Sequence, residues 1–116
     1  MIEALEQLID KYHHLGIIKA QELLLHPEDA VSLANELEKK KILILGVDLW
    51  YYIDNKIVED PSSLDLSEIK NAKTSARLVK EFITNQLPER TAFVSFVLEE
   101  DRIFEGTESE IRSNLH

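Results

Sequence analysis

The stretch KILILGVDLWYYIDNKIVED, residues 41–60, decides the fold class of this chain. Ile42, Leu43, Ile44 and Leu45 form an unbroken apolar run, the pattern of a strand covered on both faces. From Val47 the pattern changes. Val47, Leu49, Tyr51 and Ile53 alternate with Asp48, Trp50, Tyr52 and Asp54, so the first set faces a core and the second set faces the other way. Asp54, Asn55 and Lys56 then read as a hairpin turn, with Asn55 best suited to a positive φ, and Ile57, Val58 and Glu59 as the returning strand.

Upstream, Ile2, Leu5, Leu8, Ile9 and Tyr12 recur at helical spacing, with Glu3 and Glu6 in the first turn and Gly16 placed to end the helix. Residues 17–25 are apolar and read as a short second helix, broken at His26-Pro27. Pro27 suits the first position of a new helix whose N-terminus Glu28 and Asp29 favour. Ala30, Val31, Leu33, Ala34 and Leu37 give that helix a buried stripe, and Lys39, Lys40 and Lys41 suit its negative end.

Downstream, Asp60-Pro61-Ser62-Ser63 is the strongest loop signal in the chain. A long helix is expected to start between Leu66 and Asn71 and to stop near Leu87-Pro88, with Ala72, Ala76, Val79, Phe82 and Ile83 on its inner face. TAFVSFVL, residues 91–98, reads as a well-covered strand ending at Glu99-Glu100-Asp101. Residues 102–104 are expected as a short strand hairpinned onto it, and residues 108–115 as a terminal helix. The whole is an α+β fold in a single domain, residues 1–116. A three- to four-stranded sheet, made of a hairpin, a crossover helix and a C-terminal strand or hairpin, packs with the N-terminal helices. Its β-β-α-β core should cross over right-handedly where the end strands are parallel.

At 116 residues a single domain buries about two-thirds of its unfolded surface without staples. With no cysteine, disulfides, thiolate metal sites, iron–sulfur ligation and a cysteine nucleophile are excluded together. No stretch approaches the roughly 20 apolar residues of a membrane span, and the opening MIEALEQLID has acids where a signal peptide needs bases, so a cytoplasmic protein is expected. The net charge of −9 is uneven: residues 1–40, 41–80 and 81–116 carry −4, 0 and −5. Such a surface repels nucleic acid phosphates and attracts basic partners, and it also serves solubility alone.

The motifs of common enzyme chemistry are missing. Gly16, Gly46 and Gly106 are far apart, so the chain has neither a P-loop nor a dinucleotide fingerprint. G-x-S-x-G does not occur. Asp10, His13 and His14 are the nearest approach to a metal or catalytic cluster, but no third ligand is placed nearby and a solvated helix end accounts for them. Glu99-Glu100-Asp101 lacks the alternation and glycine of a calcium loop. No metal, cofactor or catalytic residue is therefore expected. What remains is the aromatic patch: Asp48, Trp50, Tyr52 and Asp54 share one face, where aromatics flanked by carboxylates would anchor a basic partner. The competing account places Trp50 under the N-terminal helices as ordinary core.

The segment ANELEKKKILILGVDLWYYIDNKI resembles a family of small bacterial immunity proteins from polymorphic toxin and contact-dependent inhibition systems. In that family a leucine-rich helix runs through basic residues into a hydrophobic strand, a glycine before Asp, an aromatic and an Asn-Gly-Lys-like hairpin. Leu37, Ile42, Ile44, Leu45, Gly46, Asp48, Asn55, Lys56 and Ile57 stand at those positions. Ser75, Val79, Phe82 and Ile83 match the family's following helix, and residues 93–98 its closing strand, so the resemblance covers about residues 30–98. It implies a non-enzymatic inhibitor that binds a cognate toxin C-terminal domain and blocks its active or substrate-binding surface; the acidity of the chain slightly favours a basic, nucleic-acid-cleaving toxin over one of another chemistry. The contacts expected on this reading are Asp48, Trp50, Tyr52 and Asp54, with Glu99, Glu100, Asp101 and Glu105. The partner is a protein rather than nucleic acid or membrane, and the domain itself a monomer. Two alternatives stand beside it: a small enzyme or ligand-binding domain with a cleft near Asp10, His13 and His14, and a general protein-interaction adaptor.

Overall fold

In the computed structural model the described residues are 2–99, with side chains described from Glu6 onward. The apolar run forms the centre of the fold. β3 (Ile44–Ile53) is buried on both faces from Ile44 to Val47 and emerges into solvent only at its hairpin end. β4 (Lys56–Asp65) and β5 (Phe93–Leu98) pair with it antiparallel on either side, giving the order β4-β3-β5. β4 and β5 thus run parallel to one another, and α3 (Ala72–Asn85) carries the chain between them across β3. The expected β-β-α-β core is realised, and the fold is α+β.

α1 (Ile2–His13) and α2 (Pro27–Lys39) complete one layer of helices over the sheet. Leu8 and Tyr12 of α1, Ala30, Leu33, Ala34 and Leu37 of α2, and Val79 and Ile83 of α3 form a single apolar cluster with Val47, Leu49, Val94 and Leu98. Tyr12 also ties α1 to α2. Its hydroxyl donates to Glu36 Oε2 at 2.5 Å while Lys11 Nζ lies 2.9 Å from the same oxygen. Burial, followed by the Glu36 carboxylate, pushes the Tyr12 hydroxyl up to about 12. A phenol whose pKa is raised on folding contributes fully below its unfolded value and loses that contribution as pH rises through the folded one. α2 ends in a Schellman motif, with Ile42 N–H donating to Leu37 O and Lys41 N–H to Glu38 O, both at 3.0 Å. Lys41 (φ 60°) takes the left-handed position that glycine usually fills. α3 begins at Asn71, whose Oδ1 accepts the Thr74 N–H at 2.9 Å.

Two expectations are corrected. Residues 17–25 are not a helix but a hairpin, β1 (Ile17–Lys19) and β2 (Glu22–Leu24). The segment has no polar helical face, it carries two β-branched residues, and it finds a partner the local sequence does not announce: Leu25 N–H donates to Val94 O at 2.9 Å and Val94 N–H returns to Leu25 O at 2.8 Å. Gly16 permits the entry to the hairpin, because a Cβ there would run into the Leu24 carbonyl oxygen. Residues 60–63 are likewise not a loop. β4 continues through Pro61, and the register places Asp60, Pro61 and Ser62 opposite Leu49 alone. Proline is tolerated there because it sits in a bulge on an edge strand. The buried Asp60 carboxylate closes the bulge, accepting Ser62 N–H at 2.9 Å and Arg90 Nε at 3.1 Å, while Arg90 lies 4.2 Å from the Tyr51 ring centroid. The Ser62 N–H above all, and then Arg90, hold Asp60 below the usual carboxylate range.

The hairpins differ in how well their turns suit them. Asp54 (φ 50°) and Asn55 (φ 67°) tolerate the left-handed region, but Ala20 (φ 53°) and Gln21 (φ 65°) do so at a cost. Replacing them together (Ala20→Asn, Gln21→Gly) should stabilise the protein by about 1 kcal/mol, read as an increased urea midpoint at unchanged slope. A lower midpoint would mean that the turn does not have this geometry.

Candidate functional site: the helix-free sheet face

Strand parity sends Gly46, Asp48, Trp50 and Tyr52 to the face opposite the helices. The ladders set Ser63 and Ser95 on either side of Asp48, Glu59 and Phe93 on either side of Trp50, and Ile57 beside Tyr52. The Leu25–Val94 bridge extends this face past β5, so that Leu24 and Glu22 join it. Trp50 is 4% exposed and packs with Leu24 and Phe93, flanked by Ile57 and Ala92. It lies neither under the N-terminal helices nor out in solvent. It is the floor of the face.

The floor is held by a chain of hydrogen bonds across three strands. Trp50 Nε1–H donates to Ser95 Oγ at 3.0 Å, and Ser95 Oγ–H donates to Glu22 Oε1 at 2.9 Å. Glu22 and Asp48 are within hydrogen-bonding reach of one another. Burial raises the pKa of Glu22, Asp48 and Glu59 alike. The other carboxylates add to the effect on Glu22 and Glu59, while the Ser95 hydroxyl opposes it at Glu22. None of the salt bridges among the described residues involves these three side chains. The face therefore carries partly desolvated negative charge above a buried aromatic floor, an arrangement that attracts a cation.

The expected contact residues separate into several environments. Asp48 is half-buried in the middle of the face, Tyr52 is 53% exposed with its ring edge-on to Phe93, and Asp54 is exposed in the hairpin turn. Glu99 is half-buried just past β5, where its N–H donates to Leu43 O. Glu100, Asp101 and Glu105 lie outside the described residues, as do the strand and helix expected over 102–104 and 108–115. Ile53, expected to face the core, is 48% exposed because the hairpin end of β3 outruns its cover. Glu22 and Glu59 were not among the expected contacts. Glu22 lies in the segment misread as helix, and only the parity of β2 places it here; Glu59 is legible once Trp50 and Glu59 are paired across the hairpin.

Asp10, His13 and His14 are all exposed on or just after α1. A cavity of about 190 Å³ beside that helix is lined by Ile9, Ile18, Glu22, Leu33, Phe96 and Leu98 among others, and none of the three reaches it. Among the described residues, no three His, Cys, Asp or Glu side chains are grouped to hold a metal ion, and no helix is long and apolar enough to cross a membrane. Comparison with protein-family models, curated proteins and solved structures found no match to this chain.

The raised carboxylates carry a sign that can be measured. A carboxyl whose pKa is raised on folding disfavours the folded state above that pKa, and the penalty disappears as pH falls below its ordinary value. Glu22→Gln keeps an acceptor for Ser95, so it should increase the urea midpoint at pH 7 and lose that advantage at pH 4. A midpoint lowered at both pH values would mean that the ionised Glu22 stabilises the fold.

Proposed function

We propose that this protein is a non-enzymatic inhibitor of the immunity type, which binds a cognate bacterial toxin domain in the cytoplasm and blocks its active or substrate-binding surface. The observation that carries the reading is the sheet face opposite α1, α2 and α3, with exposed Tyr52 beside Asp48, Glu22 and Glu59 and no salt bridge to these three acids among the described residues. The net charge of −9 adds long-range attraction for a basic partner, which raises its association rate. A toxin that cleaves nucleic acid presents such a basic surface, and an acidic face competes for it directly. The resemblance of residues 30–98 to immunity proteins supports the same assignment. The protein acts as a monomer in a one-to-one complex.

Co-expression with the toxin domain encoded immediately upstream should yield a one-to-one complex and protect the cells from that toxin. Failure to bind it at micromolar concentration would overturn the assignment. Tyr52, exposed beside the aromatic floor, is the anchor on this reading, and Tyr52→Ala should weaken binding by about 2 kcal/mol without lowering the urea midpoint. Trp50→Ala is expected instead to unfold or strongly destabilise the domain, by about 3–5 kcal/mol, because the indole is buried.

A further inference from the structure

Partly buried acids of this protein are answered in two ways. Glu36, Glu38 and Asp60 each have a cation of the same chain, from Lys11, Lys80 and Arg90, and Asp29 lies in the first turn of α2, where the helix dipole opposes its charge. Among the described residues Glu22 and Asp48 have no salt bridge, although Lys19 stands opposite Glu22 in the β1–β2 hairpin; a hydroxyl and each other are what they meet at hydrogen-bonding range. They stand on a sheet face that no helix of the described residues covers, with a third carboxylate, Glu59, one strand away on the exposed edge. Apolar surface flanks them at both ends. Tyr52 is exposed toward the hairpin, and Val97, 36% exposed, lies beside Gly46. From Gly46 to Tyr52 the face is about 20 Å long, room for an extended segment of roughly six residues.

We infer, building on the immunity reading, that this face docks a lysine- or arginine-bearing segment of the toxin, with a cationic side chain seated among Glu22, Asp48 and Glu59 above the Trp50 floor. The charge complementarity decides the occupant. An acidic or neutral segment would leave three carboxylates desolvated and uncompensated, whereas a long basic side chain brings its cationic head to the acids while its stem lies along the apolar surface of the partner segment. The buried floor makes the encounter stronger than at an exposed acid, since water is already excluded from one side. Gly46, with a carbonyl of Leu64 close to where a Cβ would stand, keeps the far end of the face low enough for a backbone to lie across it.

Trp50 is the only tryptophan of the chain, so its indole N–H is a single reporter at the centre of the face. The probe is a capped hexalysine peptide, titrated at low salt into the ¹⁵N-labelled protein. The indole resonance and the amides of Glu22, Asp48, Glu59 and Ser95 should shift saturably, and the shifts should vanish at 0.5 M salt, about a 4 Å screening length. The variant with Glu22→Gln, Asp48→Asn and Glu59→Gln should not respond, while Glu28→Gln with Asp29→Asn on α2 should respond as the native protein does. The exposed Glu59→Gln alone, which leaves the floor intact, should reduce the response and guards against misfolding of the triple variant. Shifts centred on α2, or an undiminished response from the triple variant, would overturn the inference. Against the upstream toxin domain the triple variant should bind at least ~100-fold more weakly. Equal binding of both proteins would refute this face while leaving the immunity reading intact, and peptide binding here without toxin binding would do the reverse.

Discussion

The indole of Trp50 is the constraint around which this small sheet is arranged. It projects from the central strand on the side the helices do not cover, so its ring needs an apolar cover and its N–H needs an acceptor. Phe93 and Leu24 supply the first and Ser95 the second. Ser95 in turn donates to Glu22, 73 residues away in sequence, and so joins β2 to β5 and β5 to β3 through side chains as well as backbone. The backbone bridge between Leu25 and Val94 runs beside this chain of donors. Removing the indole would leave Ser95 without its donor and open a void under the hairpin.

The two faces of the sheet solve opposite problems. On the helix side the acids that pack near the core are neutralised by local cations, and the tie between Tyr12 and Glu36 is strongest when the carboxylate is ionised and the phenol is not. On the other side negative charge is collected with no salt bridge to Glu22, Asp48 or Glu59 among the described residues, at a cost in stability that rises as the carboxyls ionise. On the proposed reading a partner's cation would relieve that cost. The bulge at Asp60 belongs to the same design, since Pro61 and the Asp60–Arg90 pair blunt the exposed edge of β4 against casual strand pairing.

Much of this was legible in the residues themselves. The switch in β3 from a continuous apolar run to alternation, the stripe on α2, the inner face of α3 and the Asp54-Asn55 hairpin all follow from local periodicity and turn chemistry, and each is found. What escaped the reading was decided by tertiary partners. Residues 17–25 look equally apolar as helix or strand, and only β5 decides between them. Pro61 signals a loop in isolation, yet an edge position with a buried Asp60 beside it turns the signal into a bulge. The parity of Trp50 was readable, but what covers it was not, because Leu24 lies in the segment whose structure was misread. Glu22 entered the site by the same route, and Lys41 in its left-handed position carries no sequence mark at all.

The central claim is that the helix-free face is where the partner sits. Carboxyl footprinting with a water-soluble carbodiimide and an amine, followed by peptide mass mapping, reads the accessibility of each acid in the free protein and in its complex with the toxin domain. The account predicts that labelling of Glu59, Asp48 and Glu22 falls sharply on complex formation while Asp10, Glu28 and Glu81, on the helical side, keep their free-state values. Protection of the helical acids with Glu59 still fully labelled would contradict it.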